Sequence, residues 1–136
     1  MSNLVIDSSV FISSFGQDIN TKKAGIFTEK INKNPNHKII LPTIIIAETI
    51  TVLSRLKPKP NLIKILHHLN LFQTIGLDTK FLVLMTDFLS KNNSLLKTSD
   101  LIIALTAKST NATLITWDKQ LLSQTLCPVS TPEKFK

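Results

Sequence analysis

Leu4-Val5-Ile6-Asp7-Ser8-Ser9-Val10 is the stretch on which the reading of this chain turns. Three consecutive apolar residues suit a short strand covered on both faces, and the run ends on an acid followed by two small hydroxylated residues. A strand of this kind delivers a carboxylate at its carboxyl end and then turns into a helix, which is how open α/β sheets present chemistry at their rim. The helix is expected over Ser8 to Phe15.

Working outward, Asn20 to Asn32 reads as a second helix with Ile26, Phe27 and Ile31 turned inward, closed by the turn Asn34-Pro35-Asn36. Lys38 to Leu41 is a second strand, stopped by Pro42, whose ring suits a helix entry better than a sheet interior. Thr43 is then the expected N-cap of a helix reaching Leu56. Propensity pulls Ile44-Ile45-Ile46 and Thr49-Ile50-Thr51-Val52 toward strand, but helical spacing gathers Ile46, Ile50 and Leu53 on one face while Glu48 and Arg55 point elsewhere. Lys57-Pro58-Lys59-Pro60 ends that helix and opens a connector.

Asn61 to Leu69 is a short amphipathic helix and Phe72 to Ile75 a third strand. Asp78 caps a helix reaching about Ser90. After the loop Asn92-Asn93-Ser94, Thr98-Ser99-Asp100 opens a helix from Leu101 to Lys108 with Ile103, Ala104 and Ala107 on a common face. Thr113 to Thr116 is a fourth strand, Asp118 to Ser123 a short helix, and Cys127 to Val129 a fifth strand. Strands alternate with helices throughout, so the expected fold class is α/β, with a central parallel sheet of four to five strands joined by right-handed crossovers. No repeat, low-complexity segment or boundary divides residues 1–136, and one domain is expected.

The composition agrees with a globular chain, at 43% hydrophobic residues. The start Met1-Ser2-Asn3 lacks the basic region of a signal peptide, and the longest apolar stretch, Ile39 to Ala47, is interrupted by Pro42 and too short to span a bilayer. No membrane association and a cytoplasmic location are expected. The single cysteine, Cys127, can form no internal disulfide and reads as a small buried hydrophobe. A net charge of +7, from 16 basic and 9 acidic residues, admits a polyanionic partner. The basic residues are nearly all Lys in a chain also rich in Asn, Ile and Leu, as an AT-rich genome would encode, so charge by itself argues only weakly.

The acids are more telling. Asp7 follows the first strand, Glu48 lies in the helix after the second, Asp100 starts a helix, and Asp118 follows the fourth strand. A parallel sheet lines such positions along one rim, where four carboxylates resist ionising together unless a cation sits among them. Hard oxygen ligands point to magnesium or manganese. Singly, each acid also fits an ordinary role: Asp7, Asp100 and Asp118 at helix N-termini, and Glu48 as a surface partner of Arg55.

Leu4-Val5-Ile6-Asp7-Ser8-Ser9, Ile46-Ala47-Glu48, Ser99-Asp100-Leu101-Ile102-Ile103-Ala104 and Leu114-Ile115-Thr116-Trp117-Asp118 together resemble the ordered acidic motifs of PIN-domain proteins, in particular the toxin ribonucleases of VapBC-type toxin–antitoxin pairs. The resemblance covers nearly the whole chain. It implies a three-layer α/β/α nuclease fold whose acids bind Mg2+ or Mn2+ for RNA cleavage, a small antitoxin partner and a homodimer. By position, Asp7, Glu48, Asp100 and Asp118 match the acidic motifs, and Ser9 and Thr116 match hydroxyls that help hold the site. Many relatives carry an acid or an aromatic residue two or three positions past the final Asp, where this chain has Lys119-Gln120-Leu121. A fifth carboxylate is therefore missing, and one or two metals remain open.

The expected chemistry is hydrolysis of a phosphodiester by metal-activated water, with Asp7, Asp100 and Asp118 as metal contacts and Glu48 either a ligand or the group that orients or deprotonates water. Arg55, Lys57, Lys59, Lys22, Lys23 and Lys119 are candidates to track an RNA backbone, or else an ordinary solvated surface. Trp117 could stack on an unpaired base, although packing against the last helix suits it better. Glycine stands only at positions 16, 25 and 76, which leaves no nucleotide-binding glycine loop. His37, His67 and His68 lack metal-ligand spacing. Two further readings stay open beside the toxin: a PIN-type nuclease of RNA processing without an antitoxin, and a non-catalytic metal-binding α/β module.

Overall fold

Strand β1 (Ser2–Ile6) occupies the centre of a five-stranded sheet in the computed structural model, which describes residues 2–136. The other strands are β2 (His37–Pro42), β3 (Gln73–Ile75), β4 (Ala112–Ile115) and β5 (Val129–Ser130), in the spatial order β3-β2-β1-β4-β5. Every pairing is parallel, with Leu4 opposite Ile39 on one side and Val5 opposite Leu114 on the other. Leu4, Val5 and Ile6 are fully buried, as an unbroken apolar run in a central parallel strand requires.

The connections are α1 (Ser8–Phe15) and α2 (Thr21–Asn32), then α3 (Thr43–Leu53) and α4 (Leu62–Leu69), then α5 (Thr79–Lys91) and α6 (Thr98–Ser109), and α7 (Lys119–Ser123). Moving from β1 the chain adds β2 and β3 outward on one side, then returns to add β4 and β5 on the other. Right-handed crossovers therefore place α1 to α4 on one face and α5 to α7 on the opposite one. The apolar residues agree: Phe11, Phe27, Ile45, Leu53 and Leu69 share the main core with the sheet, while Phe81, Leu101, Ile102 and Leu105 form a second cluster. The reversal of direction at β1 and β4 opens a crevice beyond their carboxyl ends, the usual place for a site in an open α/β sheet.

Several expectations need correction. In α2, Ile26 is exposed and Ala24 takes the inward position beside Phe27 and Ile31. Thr43 is the first residue of α3 rather than its cap, and its exposed side chain holds no backbone N–H; Pro42 stands at the cap position and still pairs with Ile75. That helix ends at Leu53, three residues early, and buries Ile45, Ile46, Thr49 and Leu53. Helix α6 begins at Thr98 instead of Leu101, and it has no single apolar face, because every residue from Asp100 to Ala107 is buried. Ile103 and Ala107 face the main core while Leu101, Ile102 and Leu105 meet Phe81 of α5, so a helix covered on two sides carries no clean periodicity. Strand β4 stops at Ile115, leaving Thr116 just beyond it, and β5 is displaced to Val129–Ser130.

Asp78 caps α5 as expected, its Oδ1 accepting the Phe81 backbone N–H. Asn61, expected as the first residue of α4, is instead its cap, its Oδ1 accepting the Lys64 backbone N–H. Asn111 makes the turn from α6 into β4 at φ 57°, a left-handed conformation that asparagine tolerates better than most residues. Cys127 is buried, which pushes its thiol upward. No helix among the described residues is long and apolar enough to cross a membrane.

Candidate active site

The end of β1 and the end of β4 are tied together before any side chain enters. Asp7 donates its backbone N–H to the Ile115 carbonyl at 2.9 Å, and Thr116 donates to the Ser130 carbonyl at 3.0 Å. These bonds fix Asp7 and Thr116 side by side at the crevice. The Thr116 hydroxyl donates to Asp7 Oδ2 at 2.8 Å and accepts the Asp118 backbone N–H at 2.9 Å. Ser9 Oγ accepts the Trp117 backbone N–H at 3.3 Å and lies 3.5 Å from Thr116 Oγ1. The two hydroxyls therefore lace the first turn of α1 to the segment leaving β4.

Asp7 is 5% exposed and sits at the cap position of α1, yet its side chain caps nothing; it is held instead by the Thr116 hydroxyl. Asp118 does cap a helix, with Oδ1 accepting from Gln120 and Leu121 at 2.9 and 3.1 Å, which leaves Oδ2 for other use. Asp100 lies in the first turn of α6, 4% exposed. Glu48 projects from the middle of α3 and is not paired with Arg55; the ion pairs among the described residues are Lys33–Glu29 and Lys91–Asp87, both on exposed helix surfaces.

Glu48 and Asp100 sense the other acids. Burial raises the Glu48 carboxyl first, and the charges of Asp7, Asp100 and Asp118 add to the rise while Lys97 opposes it. Asp100 is raised in the same way, by burial and then by Asp118 and Asp7, again against Lys97. Glu48 Oε1 and Asp100 Oδ2 are both buried without a hydrogen-bond partner among the described residues. Buried carboxylate oxygens are normally satisfied, so two orphans on acids that act on each other mark a place for a cation or ordered water. As the side chains stand, no three His, Cys, Asp or Glu residues among those described converge as a ready metal-binding group.

The sequence of the chain matches the PIN domain family over residues 4–125, which takes in all four acids. The chain is a PIN-domain protein. A comparison with curated proteins gives no match. Solved structures similar to this PIN domain include a chain of VapBC2 from Rickettsia felis bound to a promoter DNA fragment, at TM-score 0.70 and 19% identity, covering 95% of this chain and 98% of that one. VapBC-1 from nontypeable Haemophilus influenzae aligns at TM-score 0.67 and 20% identity, over 97% and 99% of the two chains. The Mycobacterium tuberculosis toxin VapC20, described as cleaving the sarcin-ricin loop, aligns at TM-score 0.68 and 11% identity, over 88% and 93%.

The basic candidates of this PIN domain do not form one track. Arg55, Lys57 and Lys59 are exposed in the connector after α3, whose Leu56 to Pro60 segment lies against Phe15, Gly16 and Gln17 at the end of α1. Lys22 and Lys23 occupy the first turn of α2. Only Lys119, the first residue of α7, adjoins an acid in sequence. Trp117 is half-buried against the main core, and its indole N–H donates to Glu133 Oε2 at 2.9 Å. Two participants escape a reading of the sequence. Lys97 is the one cation that acts on both Glu48 and Asp100, and its place three residues before Asp100 is the only linear signal. Glu133 comes to Trp117 from sixteen residues away, with no linear signal at all.

Proposed function

We propose that this protein is a divalent-metal-dependent endoribonuclease acting as the toxin of a toxin–antitoxin pair. The observation that carries the reading is the pair of buried, unpartnered oxygens, Glu48 Oε1 and Asp100 Oδ2, in a crevice shared with Asp7 and Asp118. Hard carboxylate oxygens in an open arrangement fit Mg2+ or Mn2+, with Asp7, Asp100 and Asp118 as the holding residues. When bound, the ion supplies activation of water and neutralisation of charge on the phosphate.

The chain's own groups do the remaining work. Thr116 fixes the free rotation of Asp7 through its 2.8 Å bond, and Ser9 holds Thr116 and Trp117 in place. Glu48, whose carboxyl is raised by burial and by its acidic neighbours, takes a proton from water at Oε1 more readily than an ordinary surface glutamate does. Lys119, the first residue of α7 and next to Asp118, is the basic candidate that would meet a backbone phosphate at the acids; Arg55, Lys57, Lys59, Lys22 and Lys23 form no continuous track with it.

The similarity to chains of VapBC assemblies supports a small antitoxin as partner; on this reading the antitoxin inserts a segment with a basic side chain toward the acids, and the protein assembles as a homodimer. The test is cleavage of single-stranded RNA with Mg2+ or Mn2+, followed by mass spectrometry of the ends. In-line attack by water expels the 3′-oxygen and leaves a 5′-phosphate and a 3′-hydroxyl, and chelator should stop the reaction. A 2′,3′-cyclic phosphate, or cutting that persists in chelator, would overturn the assignment of the acids.

A further inference from the structure

A concavity of about 430 Å3 lies between the loop that precedes α6, with Phe88 of α5, and α7 with the segment that follows it. That volume is in the range of sites for small organic groups. Two kinds of surface line it. Phe88, Leu96 and Leu126 make an apolar floor continuous with the second core cluster. Asn93, Gln120 and Thr125 line it with neutral amides and a hydroxyl, and no Lys, Arg, Asp or Glu lines it among the described residues.

Some of the polar groups are already committed. The Gln124 carboxamide accepts from the Leu126 and Cys127 backbone N–H groups and donates to the Cys127 carbonyl, so it shapes the turn after α7. Ser94 Oγ accepts from the Leu96 N–H. Asn93 and Gln120 are different: both are exposed, and neither side-chain amide has a partner among the described residues. Leu95, fully exposed at the edge, leaves an apolar side chain with nothing to cover it.

Two of the segments that line the concavity lead directly to acids. Gln120 donates its backbone N–H to Asp118 Oδ1 at 2.9 Å, and the loop on the opposite wall runs through Lys97 into the turn that carries Asp100. A strand whose backbone lies across the acids would therefore place an adjoining substituent here. A phosphate would find no cation in this lining. A nucleobase is neutral and planar, and its face suits Phe88 and the leucines while its edge offers donors and acceptors to free carboxamides.

We propose that this concavity holds one unpaired base of the RNA next to the bond that the acids cut, with Asn93 and Gln120 reading the base edge and Leu95 covering its face. The identity of the strand rests on the nuclease reading; the recognition of a base does not. The test uses 15N-labelled wild-type protein in EDTA, titrated with a single-stranded RNA pentanucleotide and with an abasic sugar–phosphate strand of the same length. The side-chain amide signals of Asn93 and Gln120 should move with the base-bearing strand and stay still with the abasic one. Gln120→Ala, an exposed position whose backbone bond to Asp118 is retained, should weaken binding of the base-bearing strand about tenfold, as loss of one well-made hydrogen bond does. Equal affinity for the two strands, or unmoved amide signals, overturns the proposal. Base-dependent shifts in a protein that cuts no RNA with Mn2+ would retire the nuclease and keep the base site, whereas cutting with base-independent binding would retire the base site alone.

Discussion

The Thr116 hydroxyl and the Asp7 carboxylate are joined at 2.8 Å across a sequence separation of 109 residues. Because the same hydroxyl accepts the Asp118 N–H, one side chain sets the spacing between the ends of β1 and β4. Thr116→Val keeps the shape and removes the donor, leaving a buried carboxylate oxygen unpaired. The expected cost is about 1–3 kcal/mol of stability. Urea unfolding in EDTA measures it, and Thr116→Ser should recover most of the loss; equal stability of the Val variant and wild type would show that the bond is idle.

Asp100→Asn should separate stability from activity. Asp100 carries a charge that helps raise the Glu48 carboxyl, so removing it relieves repulsion and the metal-free variant should melt at or above the wild-type temperature. Cleavage should fall about a hundredfold or more. Asp7→Asn should lose activity as well. If both variants cut RNA at the wild-type rate, the crevice is not the active site.

Stability of the metal-free protein should fall as pH rises. Glu48 and Asp100 have folded-state carboxyls raised above their unfolded values, so the folded state binds more protons in the interval between. The contribution is fully present below the ordinary carboxylate range and is lost as pH climbs through the raised values. Melting curves in EDTA across that interval should therefore slope downward, and Glu48→Gln should flatten part of the slope. Saturating Mn2+ should reverse the trend by binding the ionised folded form. A slope unchanged by Glu48→Gln would rule out the coupling.

Glu133 titrates the other way. Burial works to raise its carboxyl, but hydrogen bonds from its own backbone and from the Trp117 indole, with the charge of Lys23, outweigh that and lower it. The Trp117 contact should thus persist on acidification until below the ordinary glutamate range and then be lost. Tryptophan fluorescence followed against pH reports this directly, since Trp117 is the only tryptophan. Glu133→Gln should abolish the transition, and a transition that survives it would belong to another group.

Much of this site is legible in the sequence because its acids sit at element ends. Asp7 and Asp118 each follow an apolar strand, and a parallel sheet leaves little choice about which rim receives them. Asp100 is marked by the small hydroxylated residues around it. Glu48 is harder, since its helix is rich in β-branched residues and only spacing argues against a strand. The errors arise where tertiary contacts replace local ones. Helix α6 is buried between the sheet and α5, so its apolar residues follow no stripe, and Ile26 lost its inward place to the smaller Ala24. The Trp117–Glu133 bond and the concavity beside α7 depend on how distant segments meet, which no local pattern encodes.

Lys97 is the remaining element of the electrostatics, because it is the single cation opposing the rise of both Glu48 and Asp100. Its side chain is exposed and makes no ion pair among the described residues, so it neutralises the acids at a distance. Lys97→Met removes that positive charge and keeps an unbranched side chain of nearly the same length. Both carboxyls should then rise further, and the downward slope of metal-free stability should extend to higher pH. At a pH where all four acids are ionised, Mn2+ should bind more tightly, since one repelling charge is gone. The substrate should respond in the opposite direction: RNA carries negative charge into the crevice, and losing Lys97 should weaken its binding and reduce the salt dependence. Calorimetric titration with Mn2+ and RNA-binding measurements at two salt concentrations separate the two effects. Tighter Mn2+ binding with unchanged RNA affinity would confine Lys97 to the acids, and unchanged values in both experiments would show that it is an ordinary surface lysine.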